Sequence, residues 1–307
     1  MLPPALLLLA AMCSRCLAEI AFPSYISSSM LFQRNAPFIV SGTDIPHSSL
    51  SALFAGHSYS AVADPKTGAF SFSFPPQNAS TVPVSITFSS SSGAHTSLED
   101  LLFGDVFLSS GQSNMQSYVS WQYNFSDIVA AAPKYSALIR IAQVAMLQQY
   151  CNATQPQDNL TMSIPWTRAN PDVIPAMSAI AYLTAVQLLI HNPSVPVGAI
   201  ASSWGGTAME PWMPAEALKE CGQLHADSVD PQHVAGAAMA AADIRDFPDK
   251  ASVLWNSMIH PLTRLSIAGV YWSTTPPSTL YFFNIHKGIK ANPTLAIPLP
   301  SCGAFPP

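Results

Sequence analysis

The sequence predicts an α/β fold preceded by a small antiparallel β-domain, and three observations lead to this prediction. Between residues 19 and 100, short apolar stretches alternate with Ser, Gly and Pro turns, and no long helical pattern appears. After Leu101 the chain changes to short buried strands separated by segments of helix length, which indicates crossover connections and a parallel sheet. Hydrophobic residues make up 49% of the 307 residues, which is enough to bury a sizeable core.

The chain begins with a segment that does not belong to this fold. An apolar run, Ala5–Met12, is followed by small residues that end at Ala18. This pattern is typical of a secretory signal peptide cleaved after Ala18. We therefore divide the chain into residues 1–18 (signal peptide), 19–100 (β-domain), 101–272 (α/β domain) and 273–307 (a Pro-rich tail).

The β-domain is predicted from alternating residues. Phe70-Ser-Phe-Ser-Phe74 has a period of two, which suits a strand with one buried face. Other apolar stretches between turns have strand length. The predicted strands of this domain are Met30–Phe32, Phe38–Val40, Ala69–Phe74 and Val82–Phe88.

The α/β domain is predicted from short apolar runs on either side of one long helix. Ala176–His191 carries apolar residues at helical spacing and is predicted to be a mostly buried helix. The runs around it are rich in Val, Ile, Leu and Ala, as expected of parallel strands that are covered on both faces. These predicted strands are Val106–Leu108, Leu138–Val144, Pro196–Ala201 and Leu265–Trp272.

The last 35 residues do not continue this pattern. They contain seven prolines and no clear period. Proline donates no hydrogen bond to a sheet ladder, so a central strand is not expected here. We expect residues 273–307 to be largely disordered or loosely draped, which would uncover apolar surface beside Leu265–Trp272.

Composition excludes several classes of function. Charged residues make up 9% of the chain and the net charge is −5, so no basic stripe for nucleic acid is available. No apolar run approaches the roughly 20 residues that a membrane span needs. The cysteines are far apart and no His pair has ligand spacing, so no metal is predicted. No cofactor is predicted either, because the turn at Gly205-Gly206 lacks the lysine of a phosphate loop.

Two further patterns agree with export. Four Asn-x-Ser/Thr sites without a middle proline predict N-glycosylation, at Asn78, Asn124, Asn152 and Asn159. Cys151, Cys221 and Cys302 remain after the signal peptide, and an odd number leaves one thiol unpaired. A Cys151–Cys221 disulfide is our hypothesis. Export predicts a secreted or lysosomal location.

The strongest candidate site follows the first strand of the α/β domain. In Gly104-Asp-Val-Phe-Leu-Ser-Ser-Gly-Gln-Ser-Asn-Met-Gln116, a buried strand leads directly into a turn at Gly111, and Ser113 stands at the edge of the sheet. A hydroxyl there is exposed as a nucleophile, as in a nucleophile elbow, although the Gly-x-Ser-x-Gly pattern is absent. A structural turn serine is the alternative interpretation.

A second strand ends in a similar way. In Ala199-Ile-Ala-Ser-Ser-Trp-Gly-Gly-Thr-Ala-Met-Glu-Pro-Trp212, Gly205 and Gly206 expose backbone N–H groups that no side chain covers. The carboxyl ends of neighbouring strands meet in the crevice where open α/β sheets bind ligands. A tight strand-to-helix turn without function is the alternative here.

Together with Leu254-Trp-Asn-Ser-Met-Ile-His-Pro-Leu262, these segments resemble the sialate O-acetylesterases, carbohydrate esterases of the SGNH-hydrolase superfamily. The resemblance runs from about Ser24 to Trp272. It implies a flavodoxin-like α/β/α sandwich after a β-domain, and removal of O-acetyl groups from sialoglycans or other acetylated sugars. Ser113 is then the nucleophile, and the N–H groups of Ser113 and of Gly205 or Gly206 form the oxyanion hole.

The sequence departs from this family after Trp272. The family continues with Tyr-Gln-Gly-Glu-Ser-Asn and later carries an Asp-x-x-His that supplies the general base, whereas this chain reads Ser273-Thr-Thr-Pro-Pro. Asp230-Pro-Gln-His233 has the Asp-x-x-His spacing but lies in a variable loop. His260 is predicted to be a structural hydrogen-bonding residue, and His286 fails the pattern.

Several functions therefore stay open at the level of sequence. The first is a serine esterase that acts on O-acetylated sialic acids. The second is an inactive, truncated isoform that lacks the catalytic His and Asp, and the third is a glycan-binding remnant. An acetylxylan-type deacetylase is the alternative within the enzyme class.

Overall fold

The computed structural model describes residues 20–220, 248–273 and 281–284. Several of the sequence-based predictions lie outside these residues and stay predictions. They are the signal peptide 1–18, the Asp230/His233 pair, His286, Cys302 and the Cys151–Cys221 disulfide, whose second cysteine is not described. Cys151 is described and is 2% exposed.

The N-terminal part is built of antiparallel hairpins, with one parallel pair. Strands β3 and β4 pair antiparallel around a turn at Ala55 and Gly56, both of which have positive φ. β2 and β5 form a separate two-stranded sheet. The strands are β1 (Leu31–Gln33), β2 (Phe38–Thr43), β3 (Ser49–Phe54), β4 (His57–Val62), β5 (Ala69–Phe74) and β6 (Ser80–Ser90).

Phenylalanine rings fill the space between these two sheets. Along β5, residues alternate between buried and exposed, and the three phenylalanines are the buried ones. Phe38 stacks on Phe74 with ring centroids 4.8 Å apart. Phe54 meets Phe74 edge to face at 5.5 Å. The period-two pattern in the sequence therefore marks the buried face that closes this core.

One long strand joins the N-terminal part to the rest of the molecule. Strand β7 runs over 17 residues, His95–Gly111. Its first half pairs antiparallel with β6, and its second half pairs in parallel with strands of the α/β sheet. The strand thus crosses the predicted boundary between residues 100 and 101. The same strand therefore belongs to the sheet of the N-terminal part and to the α/β sheet.

The remaining strands form a mixed sheet with a parallel centre. The spatial order is β9-β8-β10-β7-β11-β12, in which the four middle strands are parallel and the two outer ones antiparallel to their neighbours. The elements are β8 (Ile139–Val144), β9 (Met162–Arg168), β10 (Val197–Ser203), β11 (Gly269–Ser273), β12 (Tyr281–Asn284), α1 (Ser113–Gln116), α2 (Phe125–Ala131), α3 (Ala179–His191) and α4 (Ala215–Glu220).

Both faces of the central strands are covered, as a parallel sheet requires. On one face, Ile139, Ile141 and Ala199 pack in a cluster with α3. On the other, Ile200 and Val270 pack in a cluster with the segment 253–265 and the N-terminal part. That segment contains a π-helix, Trp255–Ile259, and a 3₁₀ helix, His260–Arg264. The α/β class with a small antiparallel sheet is therefore confirmed.

The expectation for the tail is wrong where the structure describes it. Tyr281–Asn284 forms β12 and pairs antiparallel with β11. These four residues contain no proline, so they are free to donate ladder hydrogen bonds. Val270 and Trp272 are 1% and 5% exposed, so the apolar surface that we expected beside β11 is buried. The other residues of the tail beyond Ser273 lie outside the described part.

Three charged residues connect β7 with β8 and β9. Asp100, which has φ +57°, accepts hydrogen bonds from Arg140 at 3.0 Å and from Arg168 at 2.6 Å. The Arg140 side chain is fully buried, and its Nε has no hydrogen-bond partner. Burial lowers the pKa of Arg140, and the negative charge of Asp100 opposes that shift. The Asp100 carboxylate is therefore the counter-charge of a buried guanidinium.

Candidate active site

The candidate site begins where β7 ends. Gly111 has φ +125°, and a Cβ built on it would lie 2.1 Å from the carbonyl oxygen of Ser273. The N–H of Gln112 donates to the same oxygen at 3.0 Å. Position 111 therefore needs glycine both for its backbone conformation and for the close approach of β11. This turn directs the chain out of the sheet immediately before Ser113.

Ser113 is the first residue of the single helical turn α1. It is exposed, as is Asn114, and no described residue hydrogen-bonds its hydroxyl. Met115, the next residue, is fully buried and anchors the turn. The Ser178 hydroxyl donates to the Met115 carbonyl at 2.6 Å, so α1 is tied to the start of α3. The serine hydroxyl is thus accessible on a backbone that is held firmly.

The glycine pair from β10 lies directly against this serine. Trp204 N–H donates to the Gly111 carbonyl at 3.0 Å, which extends the pairing of β10 with β7 into the turn. A Cβ built on Gly205 would lie 3.4 Å from Ser113 Cα and 3.5 Å from Ser113 Cβ. The structure therefore brings together the two segments that the sequence pointed to.

The two glycines differ in whether their N–H groups are free. The Gly205 N–H donates to Gln116 Oε1 at 2.6 Å. Gly206 has φ +83°, is exposed, and donates its N–H to no described residue. Gln116 lies one helical turn after Ser113, so its side chain links α1 to the glycine turn. The sequence contained this glutamine within the serine motif, but nothing in the pattern indicated its contact.

Two buried tryptophans, Trp212 and Trp272, pack beneath the surface next to the Gly205-Gly206 turn and help to hold it. Thr207 Oγ1 donates to the Trp204 carbonyl at 2.7 Å and accepts from Trp212 Nε1 at 2.8 Å. Trp212 is 1% exposed and meets Trp272 of β11 edge to face at 5.6 Å. The turn is thereby packed onto the end of β11. Its backbone is held in place while Gly206 stays exposed.

The described residues supply no catalytic base for this serine. His260 Nδ1 donates to the Gln157 carbonyl at 2.8 Å and holds two backbone segments together, as expected of a structural histidine. His47, His57 and His95 lie in the N-terminal part.

The described residues contain no group of three metal-ligating side chains. Within the same residues, no helix is long and apolar enough to cross a membrane.

The four predicted glycosylation sites are all on the surface. Asn78, Asn124, Asn152 and Asn159 are exposed. Asn159 Oδ1 accepts from Ser24 N–H at 3.1 Å, and Asn152 Oδ1 accepts from Lys250 Nζ at 2.9 Å. These bonds use the oxygen atoms, whereas a glycan is attached to the nitrogen. Each site is therefore sterically open to modification.

The chain is similar to known carbohydrate esterases. Residues 103–255 match the family model described as carbohydrate esterase, sialic acid-specific acetylesterase. Human sialate O-acetylesterase is 34% identical over 180 residues, which are 57% of this chain and 31% of the human protein. The mouse protein of the same name is 32% identical over 196 residues, 57% of this chain and 35% of its own. This chain thus spans about a third of these relatives' length.

A solved structure gives the same answer for the fold. The crystal structure of a carbohydrate acetylesterase from Xanthomonas citri superposes with a TM-score of 0.68 and 27% identity. The match covers 84% of this chain and 52% of that one. The fold of the solved structure and the family match together define the class of this protein as an α/β carbohydrate esterase. The chain belongs to the family of sialic acid-specific acetylesterases within that class.

Proposed function

We propose that this protein hydrolyses O-acetyl esters of sugars, with O-acetylated sialic acids as the substrate, through an acetyl-enzyme on Ser113. The observation that carries the proposal is the exposed Ser113 hydroxyl, which lies against Gly205 beside the free N–H of Gly206. The names of the relatives supply the substrate class, since the human protein is named a sialate O-acetylesterase and the family model is described as a sialic acid-specific acetylesterase.

The reaction follows from this arrangement. A base takes the proton of the Ser113 hydroxyl as Oγ attacks the acetyl carbonyl carbon, and the carbonyl oxygen becomes an anion. The C–O bond to the sugar then breaks, and the sugar leaves as an alcohol after taking up a proton. Water attacks the acetyl-enzyme in the same way and releases acetate and the free serine. Each step passes through a tetrahedral anion, which backbone N–H donors stabilise by about 3 kcal/mol each.

The hydrogen bonds favour one of the two glycines as the second donor. Gly205 N–H is already bound to Gln116, whereas Gly206 N–H and Ser113 N–H have no described acceptor. We therefore assign the oxyanion hole to the N–H groups of Ser113 and Gly206, and we give Gln116 the role of a positioning residue. The proton acceptor for Ser113 is not among the described residues, and the Asp230/His233 pair lies outside them.

Covalent labelling tests the nucleophile without depending on turnover. A fluorophosphonate forms an O–P bond to an activated serine and loses fluoride, so intact-mass spectrometry counts the modified sites. We expect wild-type protein to gain one label and to release acetate from an O-acetylated sialoside. Ser113→Ala should lose both, while Ser120→Ala, which changes an exposed serine in the 3₁₀ turn Val119–Trp121, should keep both. Labelling or acetate release that survives in Ser113→Ala would overturn the proposal, as would their absence from wild type.

We also propose that the protein is exported and N-glycosylated. The support is the apolar run before Ala18 together with the four exposed sequons. Protein secreted by cultured cells should begin near Glu19 and lose mass on treatment with an endoglycosidase. An intact Met1 on unglycosylated protein in the cytosol would contradict this.

A further inference from the structure

We propose that Tyr118, Trp121 and Tyr123, which we call the aromatic shelf, bind the sugar ring of the substrate. This inference rests on the proposed esterase function and extends it from the acetyl group to the glycan that carries it. It assigns a binding surface to the segment that directly follows α1.

The shelf is exposed to an extent that is unusual for large aromatic side chains. Trp121 is 64% exposed and Tyr123 is fully exposed at 107%. Tyr118 is half-buried, and its ring meets that of Trp121 edge to face with centroids 4.7 Å apart. Exposed apolar surface of this kind is typical of binding sites, because leaving it in water costs free energy that burial would recover.

The backbone of the shelf is fixed rather than loose. Val119 is fully buried, and its N–H donates to the Met177 carbonyl at 3.0 Å. Ala179 N–H donates to the Ser117 carbonyl at 2.7 Å, and Tyr118 forms a β-bridge with Ser178. Trp121 N–H closes a turn to the Tyr118 carbonyl at 3.0 Å. A rigid backbone lowers the entropy cost of binding, since only the side chains remain to be ordered.

The topology places the shelf at the same edge of the sheet as Ser113. Helix α3 leads into the start of β10 and runs antiparallel to it, so Ser178 at the first end of α3 lies near the carboxyl ends of the strands. Gln143, near the carboxyl end of β8, confirms this by accepting the Ser178 N–H at 3.0 Å. Ser117 in turn donates its N–H to the Ser113 carbonyl at 2.9 Å. The shelf therefore begins one helical turn from the serine.

The chemistry of the shelf fits the uncharged C–H face of a sugar ring. Residues 113–124 contain no Lys, Arg, Asp or Glu. A pyranose has an apolar face of C–H groups that packs on an aromatic ring, and hydroxyls at its rim that stay hydrated or bond to polar tips such as a tyrosine OH. An acetyl group held at Ser113 brings the attached ring to within the reach of such a surface. The geometry thus favours the glycan itself as the occupant.

Binding and catalysis can be separated experimentally. The probes are an O-acetylated sialic acid methyl glycoside, an acetylated xylo-oligosaccharide and p-nitrophenyl acetate, which has no sugar. In the Ser113→Ala background, Trp121→Ala should weaken binding of a sugar probe about tenfold by calorimetry, and Trp121→Phe should restore most of it. With Ser113 present, Trp121→Ala should lower kcat/KM for the sugar ester by a larger factor than kcat/KM for p-nitrophenyl acetate.

A matched control and the glycan at Asn124 complete the test. Ile190→Ala removes a side chain that is 51% exposed near the opposite end of α3, and it should change no affinity. Protein should be measured before and after endoglycosidase treatment, because a glycan on Asn124 would lie beside Tyr123. Sugar affinity that stays within twofold in Trp121→Ala, or no sugar binding at all, would overturn the shelf. Loss of sugar affinity in Trp121→Ala without any Ser113 labelling would keep the shelf and refute the esterase.

Discussion

The N-terminal core and the carboxyl edge of the α/β sheet differ in how exposed their key residues are. In the core, side chains such as Phe72 and Phe74 are 2% and 1% exposed and contact one another, so their burial supplies stability. At the edge, Ser113 and Gly206 are exposed and make few contacts of their own, while their neighbours Met115 and Trp212 are buried. The proposed chemistry therefore falls on residues that contribute little to folding.

This difference teaches how a mutation should act in each region. A change in the core should alter the free energy of unfolding without altering the site, because the site's backbone is held by other contacts. A change at the edge should alter the chemistry with little effect on stability. Four substitutions test this comparison.

The largest effect on stability is expected in the aromatic core. Phe74→Ala removes a ring that contacts Phe38, Phe54 and Tyr59, and should lower the free energy of unfolding by about 4 kcal/mol. Denaturant unfolding measures this, with Val62→Ala, an alanine substitution at a position 67% exposed, as the control. Labelling of Ser113 below the unfolding transition should be unchanged. A change in the labelling rate would break the comparison.

The next largest effect is expected at the junction of the two regions. Asp100→Asn tolerates the left-handed backbone but removes the counter-charge of the buried Arg140, and should cost about 3 kcal/mol. Burial raises the pKa of Asp100, but the hydrogen bond from Arg168 and the charge of Arg140 outweigh it and leave the pKa below its usual value.

The same pKa predicts how this stabilisation depends on pH. Because the folded-state pKa of Asp100 is depressed, the stabilisation is present above the ordinary aspartate pKa and is lost as the pH falls through the folded-state value. Wild type and Asp100→Asn should therefore differ most near neutral pH and converge in acid. A difference that grows as the pH falls would show that this ion-pair cluster does not stabilise the fold.

A smaller effect on stability is expected at Gln116. Gln116→Met keeps the volume but removes the acceptor of the Gly205 N–H, and should cost about 1 kcal/mol. If Gln116 positions the glycine turn, the rate of Ser113 phosphonylation should fall about tenfold. This fall corresponds to a rise of about 1.4 kcal/mol in the activation free energy. Gln149→Met, the same substitution at an exposed glutamine, should change neither quantity. An unaltered phosphonylation rate would reduce Gln116 to a structural contact.

The smallest effect on stability is expected at the nucleophile itself. Ser113→Ala removes an exposed hydroxyl that has no described partner, so the free energy of unfolding should change by less than about 0.5 kcal/mol. Calorimetric melting measures this on the same sample that fails to label. A large loss of stability would show that Ser113 has a structural role.

Much of the fold could be predicted because its signals are local. Ala69–Phe74 is the strand that its period-two pattern predicted, and the predicted helix over Ala176–His191 begins three residues later, after Ser178 accepts the Ala181 N–H as its cap. The predicted strand Leu265–Trp272 pairs only from Gly269. Leu265 and Ala268 are buried without belonging to the strand, and a hydrophobic run alone does not distinguish a buried loop residue from a strand residue.

Other features depend on partners that a linear pattern does not show. β12 was missed because the prolines around it dominate the composition of the tail, although Tyr281–Asn284 itself contains none. The extent of β7 was also missed. Its 17 residues pair with β1, β6, β10 and β11, and each partner comes from a different part of the chain.

The sequence by itself determined the class of fold and the residues at the site, because strand periodicity, glycine turns and an isolated serine are local properties. Only the tertiary structure decided which glycine N–H remains free. The Gln116 side chain accepts the N–H of Gly205, a residue 89 positions away, whereas the N–H of Gly206 has no acceptor among the described residues. A hydrogen bond between distant segments depends on how the strands pair, so no inspection of either motif alone could reveal it.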